Sequence, residues 1–203
     1  MEQRLAEEGS ILHPKWICSS TMRALSFFTL LSLLAQGQPA LATTARALGL
    51  EALAAASDLV VVGQVEAVTP RAVDGGRRIM SLVRLRVTEG LRGEGPAEIE
   101  VVLPGGRRGE LAQQVPGVPT LRPGERVALF LRLQAPARPG VPPLYRLTAY
   151  GLALYRLEGE VASRPLEGLE LVGAAAEIEA ARRDARLSLE VLRERVRASG
   201  EGQ

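Results

Sequence analysis

The stretch that decides the fold is Ile79-Met80-Ser81-Leu82-Val83-Arg84-Leu85-Arg86-Val87-Thr88-Glu89. Its apolar residues at positions 79, 83, 85 and 87 share one face, whereas Arg84, Arg86 and Thr88 share the other. A period of two is typical of a strand that buries one face in an antiparallel sheet. This stretch therefore predicts a mainly β protein.

Alternating or β-branched runs lie on both sides of that strand. Further strands are predicted at residues 59–68, 98–103 and 126–133, and at 144–157 as one long bent strand or two short ones kinked near Gly151. Within the first of these runs, Gly63 predicts a bulge or a close approach of another backbone. In the third run, positions 127, 129, 131 and 133 are expected to share a buried side.

Helical patterns lie near both ends of the region after residue 42. Residues 48–56 are rich in Ala and Leu and predict a helix of about two turns. Residues 174–197 carry apolar residues at three- and four-residue spacing, which predicts one amphipathic helix of about six turns. The expected architecture is a small antiparallel barrel over 43–165, then a C-terminal helix and frayed tail over 166–203. A single sheet packed on the C-terminal helix is the alternative, and the pattern leaves strand order open.

Residues 22–42 predict an export signal. Arg23 supplies a short positive region, residues 25–35 are apolar and uncharged, and Ala40-Leu41-Ala42 is a small-x-small cleavage site. The apolar run is shorter than the roughly 20 residues that span a bilayer. A cleaved signal peptide is therefore favoured, and an uncleaved membrane anchor is the alternative. Residues 1–21 are interpreted as a misassigned extension upstream of a start at Met22, or else as a long n-region. Export by the Sec route would place the protein in the periplasm or outside the cell.

Composition excludes several classes of chemistry once this cut is made. The single His, Lys, Trp and Cys of the chain all precede Met22, so residues 43–203 contain none of them. A Ser-His-Asp triad, a Ser-Lys dyad, a zinc or copper site and a P-loop each need one of these residues. We therefore expect no enzyme activity, no cofactor and no disulfide. The net charge of +2 gives no strong field for nucleic acid.

Four motifs together resemble a known group of proteins. They are Ser57-Asp58-Leu59-Val60-Val61-Val62-Gly63-Gln64-Val65, Arg84-Leu85-Arg86-Val87-Thr88-Glu89-Gly90-Leu91-Arg92-Gly93, Pro104-Gly105-Gly106 and Pro123-Gly124-Glu125-Arg126-Val127-Ala128-Leu129-Phe130-Leu131. The set resembles uncharacterised exported proteins of myxobacteria and related high-GC bacteria. It is also similar to netrin-like, metalloproteinase-inhibitor type OB-fold domains, which implies an OB-like barrel. Those inhibitors use an N-terminal Cys and several disulfides, which residues 43–203 lack, so their inhibitory mechanism does not carry over.

Candidate partner-binding residues lie on a long loop and on one strand face. Loop 104–124 is rich in Gly and Pro and exceeds the usual connection length, which is typical of a functional or a mobile loop. The candidates are Arg107, Arg108, Pro116, Pro119 and Arg122 on the loop, and Arg84 and Arg86 on the strand. The strand arginines are also expected to pair with glutamates across the sheet.

Other readings rest on carboxylates and on tyrosines. Glu98 and Glu100 share a strand face and could act as acid and base or bind Ca²⁺, although a solvated face is the simpler interpretation. Tyr145, Tyr150 and Tyr155 could form a binding platform or could edge the core. The favoured hypothesis is a non-enzymatic exported binding module for an envelope or extracellular protein or glycan. It has no nucleic-acid partner and touches the membrane only through an uncleaved signal segment. A protease inhibitor acting through loop 104–124 and a carboxylate hydrolase or Ca²⁺-binding protein are the alternatives.

Overall fold

The computed structural model describes residues 43–200, and the fold is mainly β, as the sequence predicts. The predicted extension and signal peptide, residues 1–42, lie outside the described residues. The strands, in chain order, are β1 (Thr43–Arg46), β2 (Leu59–Val73), β3 (Arg78–Arg92), β4 (Glu98–Pro104), β5 (Gly106–Arg108), β6 (Leu111–Gln113), β7 (Arg126–Ala135), β8 (Leu144–Leu147), β9 (Leu154–Glu158), β10 (Val161–Ser163), β11 (Leu169–Val172) and β12 (Arg186–Ser188). The helices are α1 (Leu50–Ala55), α2 (Ala175–Arg183) and α3 (Leu189–Ala198), with one-turn 3-10 helices at Asp74–Gly76 and Tyr150–Ala153.

Eight strands form the main sheet. Their order is β12-β10-β9-β7-β2-β3-β4-β8, and β8 pairs with β7 as well. Neighbours run antiparallel except β4 and β8, which are parallel. The remaining strands form a parallel pair, β1 with β11, and a small hairpin, β5 with β6. Helix α1 and helix α3 pack on the main sheet through buried leucines of both helices.

The alternation that decides the fold is confirmed in β3. Val83 and Leu85 are buried, whereas Arg84 and Arg86 are exposed. The predicted inward face of β4 is confirmed as well, because its residues at 99, 101 and 103 are buried. The two short strands predicted on either side of Gly151 are β8 and β9.

Strand β7 departs from the predicted pattern. All five residues from 127 to 131 are buried, because β7 is an inner strand that pairs with β2 and β9 in this stretch. Leu133, expected on the buried side, is 46% exposed. Strand β2 begins opposite Leu131, so Leu133 lies beyond the end of that neighbour. The prediction for Leu133 is therefore wrong.

The predicted six-turn C-terminal helix is also wrong. Helix α2 ends at Arg183, strand β12 pairs with β10, and helix α3 begins after Ser188. The Ser188 hydroxyl accepts a hydrogen bond from the Val191 N–H at 3.2 Å and caps α3. Because the helix is interrupted here, the carboxylate of Asp184 lies in the interior of the protein instead of on a solvent-facing side of a helix.

Asp184 joins both ends of the described chain. Its side chain is fully buried and accepts two hydrogen bonds from Arg195, at 2.8 and 3.2 Å. The Leu50 N–H at the start of α1 donates a third at 2.9 Å. Arg195 also donates to Glu51 at 2.7 Å. Helices α1 and α3 are thus held together through one buried carboxylate.

A buried arginine lies next to this carboxylate. Arg164 is 4% exposed, donates to the Tyr155 hydroxyl at 2.6 Å and lies 4.7 Å from the centre of the Tyr155 ring. The hydroxyl in turn donates to the carbonyl of Asp184 at 2.9 Å. Burial lowers the pKa of Arg164. The neighbouring Tyr155 and Asp184 raise it by less, so the pKa lies below its ordinary value. Arg164 also donates to the Leu48 carbonyl at 3.1 Å, so this buried cation lies over an aromatic face and has two hydrogen-bond acceptors, which stabilise it.

This arrangement predicts a loss of stability at alkaline pH. Burial raises the pKa of Tyr155 to about 12, whereas the pKa of a tyrosine in an unfolded chain is about 10. The stability that protonated Tyr155 contributes is fully present below the pKa of the unfolded protein. It is lost as the pH rises through the pKa of the folded protein. We expect the free energy of unfolding to fall by about 2 kcal/mol between pH values of about 9 and 12.

Urea unfolding of wild type and of Tyr155→Phe across that pH range tests this expectation. The variant should be less stable at neutral pH, because Arg164 loses an acceptor, and should show a shallower alkaline decline. Some decline remains, since burial also raises the pKa of Tyr145. An equally steep decline in both proteins contradicts the assignment to Tyr155.

Among residues 43–200, no helix is long and apolar enough to cross a membrane.

Candidate functional site

Loop 104–124 is fastened to the sheet at both ends. The Gly105 N–H donates to the Ile79 carbonyl at 2.8 Å, and the Ile79 N–H donates to the Gln113 side-chain oxygen at 2.7 Å. At the other end, the Gly124 N–H donates to the Val65 carbonyl at 2.8 Å. These bonds fix the loop on β2 and β3, so its surface is positioned by the scaffold.

The first part of this loop is regular structure that the sequence did not predict. Strands β5 and β6 form a hairpin in which Arg107 pairs with Ala112 and Arg108 with Leu111. Gly106 lies against Pro70 of β2 and Ile79 of β3, so the hairpin covers the end of this strand pair that lies next to the turn at residues 74–76. The side chains of Arg107 and Arg108 are exposed at this end.

The second part of the loop, residues 114–119, borders a cleft. Its middle is fixed by Gly117, whose carbonyl accepts from the Gly151 N–H at 2.8 Å. Between this segment and residues 165–169 lies a cleft of about 390 Å³ lined by Pro116, Pro119 and Glu167. Two of the sequence candidates, Pro116 and Pro119, are therefore brought to one concave surface.

A second cavity lies on the other side of the same segment. It measures about 250 Å³, and Val118 and Pro119 line it together with apolar residues of β2, β3 and β4. Arg107 lines this cavity too. Segment 114–119 thus separates the two cavities, and Val118 lines both of them.

Arg156 holds this segment from β9. Its guanidinium donates to the Thr120 carbonyl at 2.8 Å and approaches Glu125 at 4.0 Å. Arg156 also lines the 390 Å³ cleft. The sequence candidate Arg122 is exposed between these two loop residues and lines neither cavity described here.

Arg84 and Arg86 lie on the outer face of β3, away from the cleft. Arg84 approaches Glu100 of β4 at 3.9 Å, which confirms the expected pairing across the sheet. Arg86 approaches Glu66 of β2 at 3.4 Å, although Glu98 is its partner in the β3–β4 register. Both arginines are more than half exposed, so each pair adds little stability. Their role in partner binding stays a prediction.

The three tyrosines occupy different environments. Tyr145 is 6% exposed and Tyr155 fully buried, so both belong to the core. Tyr150 is 58% exposed and lies on the rim of a third cavity of about 210 Å³. No shared tyrosine platform forms. Sequence reasoning missed the separate position of Tyr150, although its place beside the kink at Gly151 was a usable signal.

Acidic clusters suited to a metal ion are absent from the described residues. Within residues 43–200, no group of three or more His, Cys, Asp or Glu side chains is arranged to hold one. Of the two carboxylates considered for acid–base work, Glu98 and Glu100, the second approaches Arg84 at 3.9 Å.

Comparison with known proteins gives no further assignment. No protein-family model matches the chain, and no curated protein matches it.

Proposed function

We propose that this protein is an exported, non-enzymatic binding module that contacts a partner through segment 114–119. The partner is a protein or glycan of the envelope or the extracellular space. The observation that carries the proposal is the fastened loop: its ends are hydrogen-bonded to the sheet, its middle is hydrogen-bonded to Gly151 in the 3-10 helix, and Pro116 and Pro119 line an open cleft of about 390 Å³. Concave surfaces on fixed loops are where binding residues concentrate.

An OB-like barrel is the scaffold we propose for this module. Strand β2 pairs with β3, β3 with β4, β4 with β8, β8 with β7 and β7 with β2, so the pairings return to their start. A ring of five strands supports the barrel rather than an open sheet. The likeness to exported proteins of high-GC bacteria and to netrin-like domains belongs to the same proposal and rests on the sequence motifs.

A non-enzymatic role is supported by what residues 43–203 lack. They contain no His, Cys or Lys, so they lack the thiol nucleophile and the usual bases, other than carboxylates, that activate a serine or threonine hydroxyl. Hydrolytic turnover by the purified protein that disappears in Glu100→Gln would overturn this part of the proposal.

Photocrosslinking in the producing cell tests the binding surface. A photoreactive amino acid replaces Pro119 in one variant and Glu190 in another. Glu190 is exposed on α3 and lies outside the cleft lining, so it is the matched control. We expect a discrete adduct from position 119 and none from position 190. Equal labelling from both positions, or no adduct from position 119, would refute the proposal.

A further inference from the structure

Tyr150 combines an unfavourable backbone with an exposed side chain. Its φ angle is +45°, in the left-handed region that residues other than glycine rarely adopt. Tyr150 is 58% exposed, whereas Phe130, Tyr145 and Tyr155, the other aromatic residues among 43–200, are buried. Burial of the ring therefore does not explain why a tyrosine stands at this strained position.

The surrounding backbone forces this conformation. Thr148 donates its N–H to the Phe130 carbonyl at 3.0 Å, and Gly151 donates to Gly117 at 2.8 Å. Leu152 closes the turn by donating to the Ala149 carbonyl at 3.0 Å, and it is 1% exposed. Tyr150 is thus fixed between two anchored neighbours, and strain of this kind is a sign of function.

The cavity beside Tyr150 has an apolar floor and a polar rim. It measures about 210 Å³, and Val102 and Leu147 line it together with Met80. The rim carries Arg146 and Gln134. Its volume is smaller than a typical drug-sized pocket, which suits a single six-membered ring.

The polar rim groups are available to a ligand. Arg146 is exposed, and its guanidinium makes no ion pair or hydrogen bond with any residue of the described range 43–200. Gln134 is exposed and its amide is likewise unused within that range. No carboxylate lines the cavity. The site therefore offers positive charge and amide hydrogen bonds beside an exposed aromatic side chain, and no carboxylate of its lining would hold a cation.

These groups match the chemistry of an acidic sugar. The face of an aromatic ring carries negative charge density and attracts the C–H groups of a pyranose. A guanidinium binds a carboxylate through two parallel hydrogen bonds, and a side-chain amide both donates to and accepts from hydroxyls. An acidic peptide would use Arg146 but would have no need of an aromatic face matched to a ring.

We propose that Tyr150, Arg146 and Gln134 form a binding site for a hexuronic acid residue of a glycan. The pyranose ring stacks on Tyr150, its carboxylate pairs with Arg146, and Gln134 binds ring hydroxyls. This site goes beyond the proposed cleft contact, because its three polar and aromatic groups lie outside the lining of the 390 Å³ cleft.

Titration calorimetry of the purified protein with an oligogalacturonate tests the site. We expect binding by wild type, and a loss of affinity of about tenfold or more in Tyr150→Gly and in Arg146→Gln. Glycine relieves the strain at φ +45°, so the melting temperature of Tyr150→Gly should be unchanged or higher. Arg182→Gln, at an exposed position on α2, is the matched charge control and should bind like wild type.

Several outcomes would overturn this proposal. They are no binding of oligogalacturonate by wild type, equal binding by Tyr150→Gly, and equal affinity for an uncharged hexose oligomer. Displacement of the sugar by polyglutamate at the same concentration would assign the site to acidic peptides instead. Failure here leaves the crosslinking result at position 119 untouched, because different residues are tested.

Discussion

Replacing Asp184 by alanine is expected to lower the free energy of unfolding by about 3 kcal/mol. The side chain is fully buried and accepts hydrogen bonds from Arg195 and from the Leu50 N–H. Removing it leaves a guanidinium and a backbone donor without their partner, which destabilises more than the lost attraction alone. Arg195 keeps Glu51 and is a quarter exposed, so we expect the lower end of the range for buried pairs.

Urea unfolding followed by circular dichroism measures this loss. Glu190→Ala, on the exposed face of α3, is the control and should change stability by no more than about 0.5 kcal/mol. Because Asp184 joins α1 to α3, its variant should also expose both helices to early proteolysis. Equal stability of Asp184→Ala and wild type would mean that the two helices are held by their apolar contacts alone.

The same carboxylate should make stability depend on acid pH. Burial raises the pKa of Asp184. The hydrogen bonds from Arg195 and Leu50 lower it by more, so the pKa lies below its ordinary value. The hydrogen bond from Arg195 lowers the pKa of Glu51 as well. These contributions are fully present above the unfolded value of about 4 and are lost as the pH falls through the folded values. The stability gap between wild type and Asp184→Asn should therefore be constant near pH 7 and shrink below pH of about 4.

The C-terminal region shows why the sequence predicted one helix where the structure has two. Residues Ile178, Ala181, Ala185 and Leu189 keep helical spacing across the break, so periodicity alone cannot reveal it. The signals were local ones. Asp184 is a residue that competes for backbone hydrogen bonds. Ser188 directly precedes Leu189, the first apolar residue of an amphipathic stretch, which is typical of a helix start. What the sequence could not show is that the Leu50 N–H, 134 positions away, donates a hydrogen bond to the Asp184 carboxylate.

The sheet was easier to predict than the sites on it. Alternation in β3 and β4 follows from one buried face, which depends on neighbouring residues only. The cleft instead depends on where the chain returns: Gly117 meets Gly151, and residues 165–169 complete the lining. The sequence singled out Pro116 and Pro119 through loop composition, but it gave no sign that Tyr150 and Arg146 share a cavity.

Gly63→Ala is expected to lower the free energy of unfolding by about 3 kcal/mol or more. The register of β2 against β3 shifts between Val62 and Gly63, in agreement with the predicted bulge or close approach of another backbone. A methyl group at Gly63 would lie 2.6 Å from the Arg86 carbonyl oxygen and 2.9 Å from the Leu85 side chain. The oxygen belongs to a paired strand and cannot move without breaking the ladder between β2 and β3. Gly63 is fully enclosed by that strand pair, so no small shift relieves the clash.

Gly90→Ala is the matched control, because Gly90 lies on β3 of the same strand pair, opposite Val61. A methyl group there would meet its nearest atom, the Gly93 carbonyl oxygen, at 3.9 Å, an ordinary contact. We expect this control to change stability by no more than about 0.5 kcal/mol. Thermal and urea unfolding give the free energy of unfolding of both variants. The comparison separates the clash at Gly63 from any general effect of alanine in these strands. Equal losses in the two variants would contradict the assignment of the Gly63→Ala loss to the clash with the Arg86 carbonyl oxygen.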